Sequence, residues 1–292
     1  MNRIKGILYA AVSSSTFGLA PFFSITLLLA GFSAFEVLSY RWGVASIVLI
    51  VFGWLSGCNF RLAGKDWGVV FLLSLLRAVT SFSLIIAYQN IASGVASTIH
   101  FMYPLAVSLA MMFFFHEKKS LLVMLAVLMS LFGAALLSSG ELEAKSGDTI
   151  VGLVAACISV FSYGGYIIGI ETTGAAQINS TVLTCYVMGM GAVLYLIGAM
   201  ATFGLHLVTD GYIWLIILGL ALPATAISNI TLVRAIKYAG PTLTSILGAM
   251  EPLTAVVIGV FVFKELFTLN SVIGILLILL AVGMVVFRKQ KS

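Results

Sequence analysis

The stretch YPLAVSLAMMFFFHEKKSL, residues 103–121, returns 148 residues later as EPLTAVVIGVFVFKELFTL, residues 251–269. The two copies share Pro104 with Pro252, Phe113 with Phe261 and Glu117 with Glu265. Phenylalanine matches are frequent by chance in an apolar chain. Matched prolines and glutamates are not, because the whole sequence has only five prolines and seven glutamates. The stretch therefore indicates an internal repeat.

The composition around the repeat is that of a membrane protein. Of the 292 residues, 61% are hydrophobic and 9% are charged, whereas soluble domains carry about 25% charged residues. Such a chain cannot cover itself with a polar surface, so its predicted partner is the lipid bilayer. The net charge of +5 does not require nucleic acid, because basic residues border membrane spans.

Glycine, asparagine and charge clusters divide the chain into ten apolar segments of about 20 residues, the length of a helix that crosses a bilayer. The predicted spans are 4–29, 34–55, 67–88, 93–115, 120–139, 150–171, 180–203, 211–236, 240–263 and 268–287. The longest internal polar stretch, SGELEAKSGDT, follows the fifth span. We therefore predict repeats at 1–139 and 150–292, joined by a linker at 140–149. The N-terminal segment resembles a signal peptide, but we assign it to the first span, since its apolar run continues.

Five spans in each repeat would insert the second repeat from the opposite side of the membrane. The basic residues test this, because they concentrate on the cytoplasmic side. With a cytoplasmic N-terminus, eleven lysines and arginines fall inside and two, Lys145 and Lys264, fall outside. We predict an all-α membrane protein of ten helices in two inverted five-helix repeats, with both termini cytoplasmic. Inverted repeats are a recurring plan of secondary transporters.

Two longer segments carry a family resemblance: AYQNIASGVASTIHFMYPLAVSLAMMFFFHEKKS at 87–120 and AIKYAGPTLTSILGAMEPLTAVVIGVFVFKELFT at 235–268. The chain resembles the drug/metabolite transporter superfamily, in particular its ten-helix members with two EamA-type repeats. Arg41 matches an arginine often found in the second helix of that family. The sequence departs from the family at His116, which stands where a glycine commonly precedes the glutamate. The resemblance implies transport of small metabolites, and it is the basis for expecting export.

Three ionisable residues lie deep in predicted spans. Counting about 1.5 Å per residue places Glu251 and Arg77 near the bilayer midplane and Arg41 roughly 10 Å from the outer face. Such residues usually face a bundle interior or a water-filled cavity. We predict that all three contribute to substrate binding and that Glu251 also couples transport to protons. The alternatives are a fixed Arg–Glu pair between helices and an Arg41 side chain that reaches outward to the interface.

Two related helices carry polar or small side chains on one face. In the fourth span these are Ser97, His100, Pro104 and Ser108, and in the ninth they are Thr244, Gly248, Glu251, Ala255 and Gly259. Both stripes suit a cavity wall, and both suit close helix packing. The prolines should bend both helices. His100 is either a substrate or proton contact or an internal histidine with its hydrogen bonds satisfied.

Tyr103, Tyr163, Tyr166 and Asn229 are further candidates for substrate contact, because they can supply hydroxyls, ring faces or an amide within the spans. Each could instead pack between helices. Tyr88, at the end of the third span, is assigned to an interfacial aromatic belt. Trp42 and Trp214 are assigned to lipid-facing or interfacial positions. Glu117 and Glu265 are predicted to act structurally at helix ends.

The sequence contains no signal for an enzyme, a metal site or a cofactor. It has no P-loop, and its three histidines are scattered. His206 and Asp210, four residues apart in a short loop, are predicted to be solvated. The cysteines show no paired spacing, so no disulfide is expected.

These observations predict a multi-pass secondary transporter in the cytoplasmic (inner) membrane. Two interior arginines against one glutamate favour a small polar substrate with a carboxylate, such as an amino acid or a related compound. One alternative is an organic-cation or drug exporter that uses Glu251 as the counter-charge. Another is a membrane-embedded lipid-modifying enzyme or a scaffold. The sequence does not define the oligomeric state.

Overall fold

The computed structural model of the chain describes residues 2–91, 93–117, 120–138, 147–202, 204–261 and 268–286. In these ranges every regular element is a helix. Several residues of the sequence argument lie outside the described residues. They are Glu265, most of the linker at 140–149 and four of the lysines in the charge tally, Lys118, Lys119, Lys145 and Lys264, together with the basic C-terminus.

The described residues of the first repeat form seven helices. They are α1 (Asn2–Phe17), α2 (Ala20–Leu29), α3 (Ala34–Leu55), α4 (Asp66–Asn90), α5 (Ser93–His100), α6 (Tyr103–Phe113) and α7 (Leu121–Ser138). Helix α3 begins with a capping box, because the Ser33 side chain accepts from the Glu36 amide and the Glu36 carboxylate accepts from the Ser33 amide.

The second repeat has the equivalent spans in the same chain order. It contains α8 (Thr149–Thr172), α9 (Ser180–Ala201), α10 (Gly211–Ala221), α11 (Ser228–Ala239), α12 (Pro241–Leu247), α13 (Met250–Phe261) and α14 (Leu269–Val286). A π-helical turn, Leu222–Ile227, joins α10 to α11. Pro223 lies in this turn and cannot donate a backbone hydrogen bond to the preceding turn.

Seven of the predicted spans appear as helices long and apolar enough to cross a membrane, within the described residues. They are Arg3–Leu29, Ala34–Leu55, Asp66–Asn90, Val95–Phe113, Thr149–Thr172, Ser180–Ala201 and Gly211–Ala239. The predicted fifth and tenth spans contain shorter apolar helices, Leu121–Leu136 and Val272–Met284. The predicted ninth span is divided into α12 and α13.

The fourth and ninth predicted spans break at equivalent places. Helix α5 ends at His100 and α6 begins at Tyr103, and α12 ends at Leu247 and α13 begins at Met250. Each break directly precedes a repeat proline, Pro104 or Pro252, which has no N–H for the helical ladder. Both spans are therefore interrupted at the repeat prolines, where a bend is expected.

The helix contacts follow the repeat. Helix α4 of the first repeat packs along α8, the first helix of the second repeat. The equivalent pair, α11 of the second repeat and α1 of the first, also packs together. Helix α3 packs on its own counterpart α9, and α7 packs on its counterpart α14; the divided fourth and ninth spans meet through α6 and α12. These self-paired contacts place an approximate two-fold axis through the middle of the bundle.

Four hydrogen bonds join segments near helix ends. Asn90 Oδ1 accepts from the Asp148 amide at 3.0 Å, and the Phe60 carbonyl accepts from Tyr186 at 2.7 Å. Glu117 accepts from Thr242 at 2.5 Å, and Glu36 accepts from the His206 ring at 2.6 Å. Every pair joins segments that the charge pattern assigns to the same side of the membrane. The Thr242 contact also gives Glu117 the structural role predicted for it.

His206 and Asp210 are exposed, as predicted, and they also make contacts: His206 pairs with Glu36 and Asp210 caps α10 through the Tyr212 amide. The two tryptophans differ in their environment. Trp42 does not face lipid: it is 1% exposed and lies against Gly191, where an added Cβ would meet its ring. Trp214 is partly exposed, as expected of an interfacial residue.

The turn that follows α6 shows why glycine suits the position that His116 occupies in this chain. This residue has φ of +56°, a left-handed backbone conformation that glycine adopts readily and other residues adopt rarely. The conformation is therefore retained with a histidine in the position.

Candidate functional site

Arg77, in the middle of α4, is 1% exposed and surrounded by neutral groups. Its Nε donates to Asn229 Oδ1 at 3.1 Å. Its guanidinium carbon lies 5.0 Å from the ring centroid of Tyr163, 5.1 Å from that of Phe17 and 5.8 Å from that of Tyr166. Ring faces attract a cation at such distances. The structure thus places three of the other predicted site residues, Asn229, Tyr163 and Tyr166, around the buried charge of Arg77.

Arg41, in α3, is also buried, at 4% exposure. Its Nε donates to Thr225 Oγ1 at 2.6 Å, and one terminal nitrogen donates to the Ala224 carbonyl at 3.4 Å. Both acceptors lie in the π-helical turn, where the altered helical winding presents them to α3. The guanidinium also lies 5.7 Å from the Phe17 ring centroid. Arg41 points inward, so the alternative of a side chain reaching outward is wrong.

No carboxylate pairs with either arginine among the residues the structure describes; the ion pair found there joins His206 to Glu36. Glu251 instead accepts a hydrogen bond from Tyr103 at 3.2 Å. The fixed Arg–Glu pair considered from the sequence is therefore absent from this conformation of the described chain. Two buried guanidiniums face the interior with neutral partners.

The Tyr103–Glu251 hydrogen bond joins equivalent positions of the two repeats, exactly one repeat length of 148 residues apart. A contact between equivalent positions must lie on or close to the axis that relates the repeats. Close packing builds it: an added Cβ at Gly248 would lie 1.7 Å from the Tyr103 hydroxyl, and one at Gly18 would lie 2.7 Å from the Glu251 carbonyl. Glycine is therefore required at both positions.

Aromatic rings connect this pair to the arginines. The Tyr103 and Tyr163 ring centroids are 4.6 Å apart in an edge-to-face arrangement, and His100 stacks on Tyr163 at 5.3 Å. The opposite end of the stack is formed by Phe17, at 6.2 Å from Tyr163. Tyr163 is therefore the central ring of the site: it lies under the Arg77 guanidinium and against Tyr103, which donates to Glu251.

Two cavities adjoin these groups. The first has a volume of about 50 Å³ and is lined by Glu251 and His100 among other residues. The second is narrower, at about 10 Å³, and is lined by Arg41 and Arg77 among others. The two share a wall formed by Phe17, Pro21, Leu84 and Tyr88. One cavity is thus acidic, the other is basic, and the partition between them is largely apolar.

The shared wall contains residues that the sequence argument missed or placed wrongly. Tyr88 is 4% exposed and lies between the cavities, so its assignment to an interfacial belt is wrong. Phe17, Pro21 and Leu84 were not singled out, because apolar residues in an apolar span carry no distinguishing signal. Ser97 and His100, from the predicted stripe of the fourth span, line the first cavity. The side chains of Ala255 and Gly259 lie outside the described residues.

Both cavities lie toward one end of the bundle. Leu84 and Tyr88, which line both cavities, lie in the last third of α4, and Ala134, which lines the first cavity, lies in the last third of α7. At the other end, every residue from Pro241 to Ala249 is buried. Thus α5 lines a cavity, whereas α12, its counterpart in the second repeat, is enclosed by its neighbours.

A helical bundle of two similar halves, with ionisable residues buried where the halves meet, is the architecture of a secondary transporter. The model of the EamA-like transporter family matches residues 4–139 and again residues 150–287. The chain belongs to the EamA-like transporter family, which makes it a multi-pass membrane transporter of the drug/metabolite superfamily. The resemblance recognised in the sequence is confirmed.

Comparison with solved structures finds 29 matching chains. One of them, described only as "Crystal structure of protein", superposes with a TM-score of 0.79 at 18% identity, over 97% of this chain and 96% of that chain. At that identity the likeness establishes the fold alone. A search of curated proteins finds no match.

Proposed function

We propose that the protein is a secondary active transporter that exports small polar metabolites bearing a carboxylate, such as amino acids or related compounds. The observation that carries the proposal is the pair of buried guanidiniums, Arg41 and Arg77, on the basic cavity without a carboxylate partner in the described chain. A charge retained at this depth is costly unless a partner arrives, and a substrate carboxylate is that partner.

Arginine suits this role because its planar guanidinium donates two parallel hydrogen bonds to a carboxylate. Arg77 uses Nε on Asn229 and has a weaker contact at 3.5 Å from one terminal nitrogen to Ser81. Arg41 uses Nε on Thr225. The neutral partners orient both side chains without neutralising them, so the positive charge remains available to the substrate.

Glu251 is proposed to couple substrate movement to protons. It lies on the repeat axis, in a cavity that shares a wall with the basic cavity. With two arginines and an ionised Glu251 the centre carries one net positive charge, and protonation raises that to two. Protonation of Glu251 thus changes the charge that a bound substrate meets, which links proton binding to substrate binding.

The proposed membrane arrangement is ten spans in two inverted repeats, 1–139 and 150–292, joined by the linker 140–149, with cytoplasmic termini in the inner membrane. In that arrangement both cavities face outward, and the buried segment 241–249 closes the cytoplasmic side. Exchange of the environments of α5 and α12 would produce the inward-facing state. Export as the direction of transport follows from the family resemblance.

A second candidate function is export of organic cations. It is favoured by the larger cavity, which contains Glu251 and the aromatic residues Phe17, Tyr88 and Phe101. A carboxylate with ring faces around it is a suitable receptor for a bulky cation. This candidate leaves the two unpaired arginines without a role, which is why the carboxylate proposal is preferred.

The test is ligand-dependent thermal stabilisation of the purified protein across amino acids, organic amines and nucleotide sugars. Carboxylate-bearing compounds should raise the apparent melting temperature, and Arg77→Gln should abolish the effect. Arg61→Gln, at an exposed position in the loop after α3, is the matched control. Stabilisation by amines alone would favour the cation exporter. A lipid-modifying enzyme or a scaffold predicts no stabilisation by any of the three classes.

A further inference from the structure

His100 is the last residue of α5 and lies beside the acidic cavity. It is 3% exposed and lines the cavity together with Glu251. Its ring is held on one side by stacking on Tyr163 and on the other by a 2.8 Å hydrogen bond between Nδ1 and Ser159 Oγ. The position of the ring is therefore fixed by two elements, α5 and α8.

The Ser159 hydroxyl determines which ring nitrogen carries the proton. A serine hydroxyl has one hydrogen to donate, and Ser159 directs it to the Ala156 carbonyl at 2.6 Å. With the hydroxyl hydrogen on that carbonyl, the Ser159 oxygen accepts from His100, and we assign the ring hydrogen to Nδ1 on this basis. In the neutral ring Nε2 consequently has a lone pair and acts only as an acceptor.

His100 Nε2 is buried and has no hydrogen-bond partner among the described residues. The other ionisable group of the cavity, the Glu251 carboxylate, is also an acceptor, as its bond from Tyr103 shows. Leaving a buried acceptor without a donor costs free energy. Two acceptors beside one cavity, one of them unsatisfied, require a ligand that brings several hydrogen-bond donors and positive charge.

We propose that the acidic cavity is an ammonium subsite, in which His100 Nε2 and the Glu251 carboxylate accept hydrogen bonds from a primary ammonium group of the substrate. The inference rests on the proposed function, because the adjoining basic cavity then takes the carboxylate of the same molecule. The two subsites define the substrate class as a zwitterion with a primary ammonium and a carboxylate, whose apolar part contacts the shared wall of Phe17, Pro21, Leu84 and Tyr88.

The ammonium subsite is closed in this conformation. Nε2 is covered in this conformation, so ammonium binding requires a small movement of the lining side chains around the break between α5 and α6. The same break is repeated between α12 and α13. Ligand binding at His100 therefore acts where the helix is already interrupted and can change direction.

The probes are the proteinogenic amino acids, each compared with its deaminated carboxylate and its decarboxylated amine, added to the purified wild-type protein. Amino acids that stabilise the protein should bind at least tenfold more tightly than the matching carboxylates. His100→Phe keeps a stacking ring but removes Nε2, and it should abolish that difference while leaving carboxylate affinity unchanged. His100→Gln, which places an amide oxygen near the position of Nε2, should restore part of the difference.

Two further variants separate the subsite from general packing. Ser159→Ala removes the acceptor that fixes Nδ1–H, and it should reduce the advantage of the ammonium group even if His100→Phe does not fold. Ser108→Ala removes another buried hydroxyl that has no hydrogen-bond partner in the described part of the chain. Ser108 does not line either cavity, so this variant should leave the advantage intact.

Equal affinity of amino acids and deaminated carboxylates in the wild type would overturn the ammonium subsite while leaving the carboxylate proposal in place. Binding of amino acids and amines that depends on His100 but not on Arg77 would support the subsite and reject the carboxylate proposal. Absence of stabilisation by every amine-bearing probe would also overturn the subsite.

Discussion

At the scale of single residues, the two buried arginines at the centre of the protein have neutral hydrogen-bond partners and, in the described chain, no carboxylate partner. Arg77 rests among the rings of Phe17, Tyr163 and Tyr166 and is oriented by Asn229. Rings and amides orient a guanidinium but do not cancel its charge. A permanently bound carboxylate would stabilise the empty protein more, and it would also compete with any anionic substrate.

Glu251→Gln tests proton coupling at this scale. The amide keeps the shape of the protonated acid and can still accept from Tyr103, but it cannot exchange a proton. We expect the variant in liposomes still to exchange substrate across the bilayer, with weaker binding because the amide has no negative charge for the substrate ammonium. Accumulation driven by a pH gradient should be lost.

Tyr103→Phe is the control for that experiment, because it removes the hydroxyl that Glu251 accepts from and leaves the carboxyl in place. Coupling should survive in this variant, with at most a changed pH dependence. Gradient-driven accumulation at the wild-type level in Glu251→Gln would reject Glu251 as the coupling group.

Ionisable residues of the site could be predicted because they stand out in an apolar sequence. Arg77, Arg41, Glu251 and His100 all line the two cavities. Aromatic residues gave a weaker signal, since the same ring suits a lipid interface or a packed interior. Tyr88 was misplaced for this reason.

At the scale of helices, interruptions of regular structure build the site. The breaks at 101–102 and 248–249 lie next to His100 and Glu251, and the π-helical turn supplies the acceptors for Arg41. The repeat prolines predicted the two breaks. The break between α1 and α2 at Gly18 was not predicted, because a single glycine is tolerated in a helix and its close approach to Glu251 is a tertiary contact.

Glu36→Ala tests how the start of α3 is anchored. Glu36 closes the capping box with Ser33 and also accepts from the amide and the ring of His206. Loss of the cap and the connection to the loop should destabilise the protein by about 1–3 kcal/mol, measured as a lower apparent melting temperature. His206→Ala removes only the ring contact and should cost less. Equal melting of Glu36→Ala and wild type would show that the cap and the loop contact contribute nothing to stability.

At the scale of the whole molecule, the charge tally predicts sidedness. In a chain with Cys58, Cys157 and Cys185 replaced by serine, single cysteines at positions 118 and 289 should react with a membrane-impermeant maleimide only from the cytoplasm. A cysteine at position 145 should react only from outside. Labelling of positions 118 and 145 from the same side would contradict the inverted arrangement.

Alternating access predicts exchange between equivalent positions of the repeats. Ser97 lines the acidic cavity, whereas Ser245, its equivalent 148 residues later, is buried. In the same cysteine-free background, conditions in which Ser245→Cys reacts with maleimide should protect Ser97→Cys from it. Conditions in which Ser97→Cys reacts should protect Ser245→Cys. A substrate gradient should shift the protein between these two conformations. Simultaneous reactivity of both positions at full rate would indicate an open channel.

The pairs of helices that contact each other could be expected from the symmetry of the repeats. Which of the two alternating conformations the protein adopts could not. The repeat sequence predicts that α5 and α12 are equivalent, and only packing decides which of them is enclosed. Here the segment 241–249 is buried and α5 lines a cavity. A sequence shared by two alternating states does not specify which state is adopted.

The measurement that tests the account most directly is the affinity of Arg77 variants for a carboxylate-bearing ligand identified in the stabilisation screen. Arg77→Lys keeps the charge but loses the planar pair of donors, and it should weaken binding about tenfold, whereas Arg77→Gln should weaken it about a hundredfold. Arg61→Gln should bind like the wild type. Unchanged affinity in a folded Arg77→Gln protein would contradict the central claim that the buried guanidinium binds the substrate carboxylate.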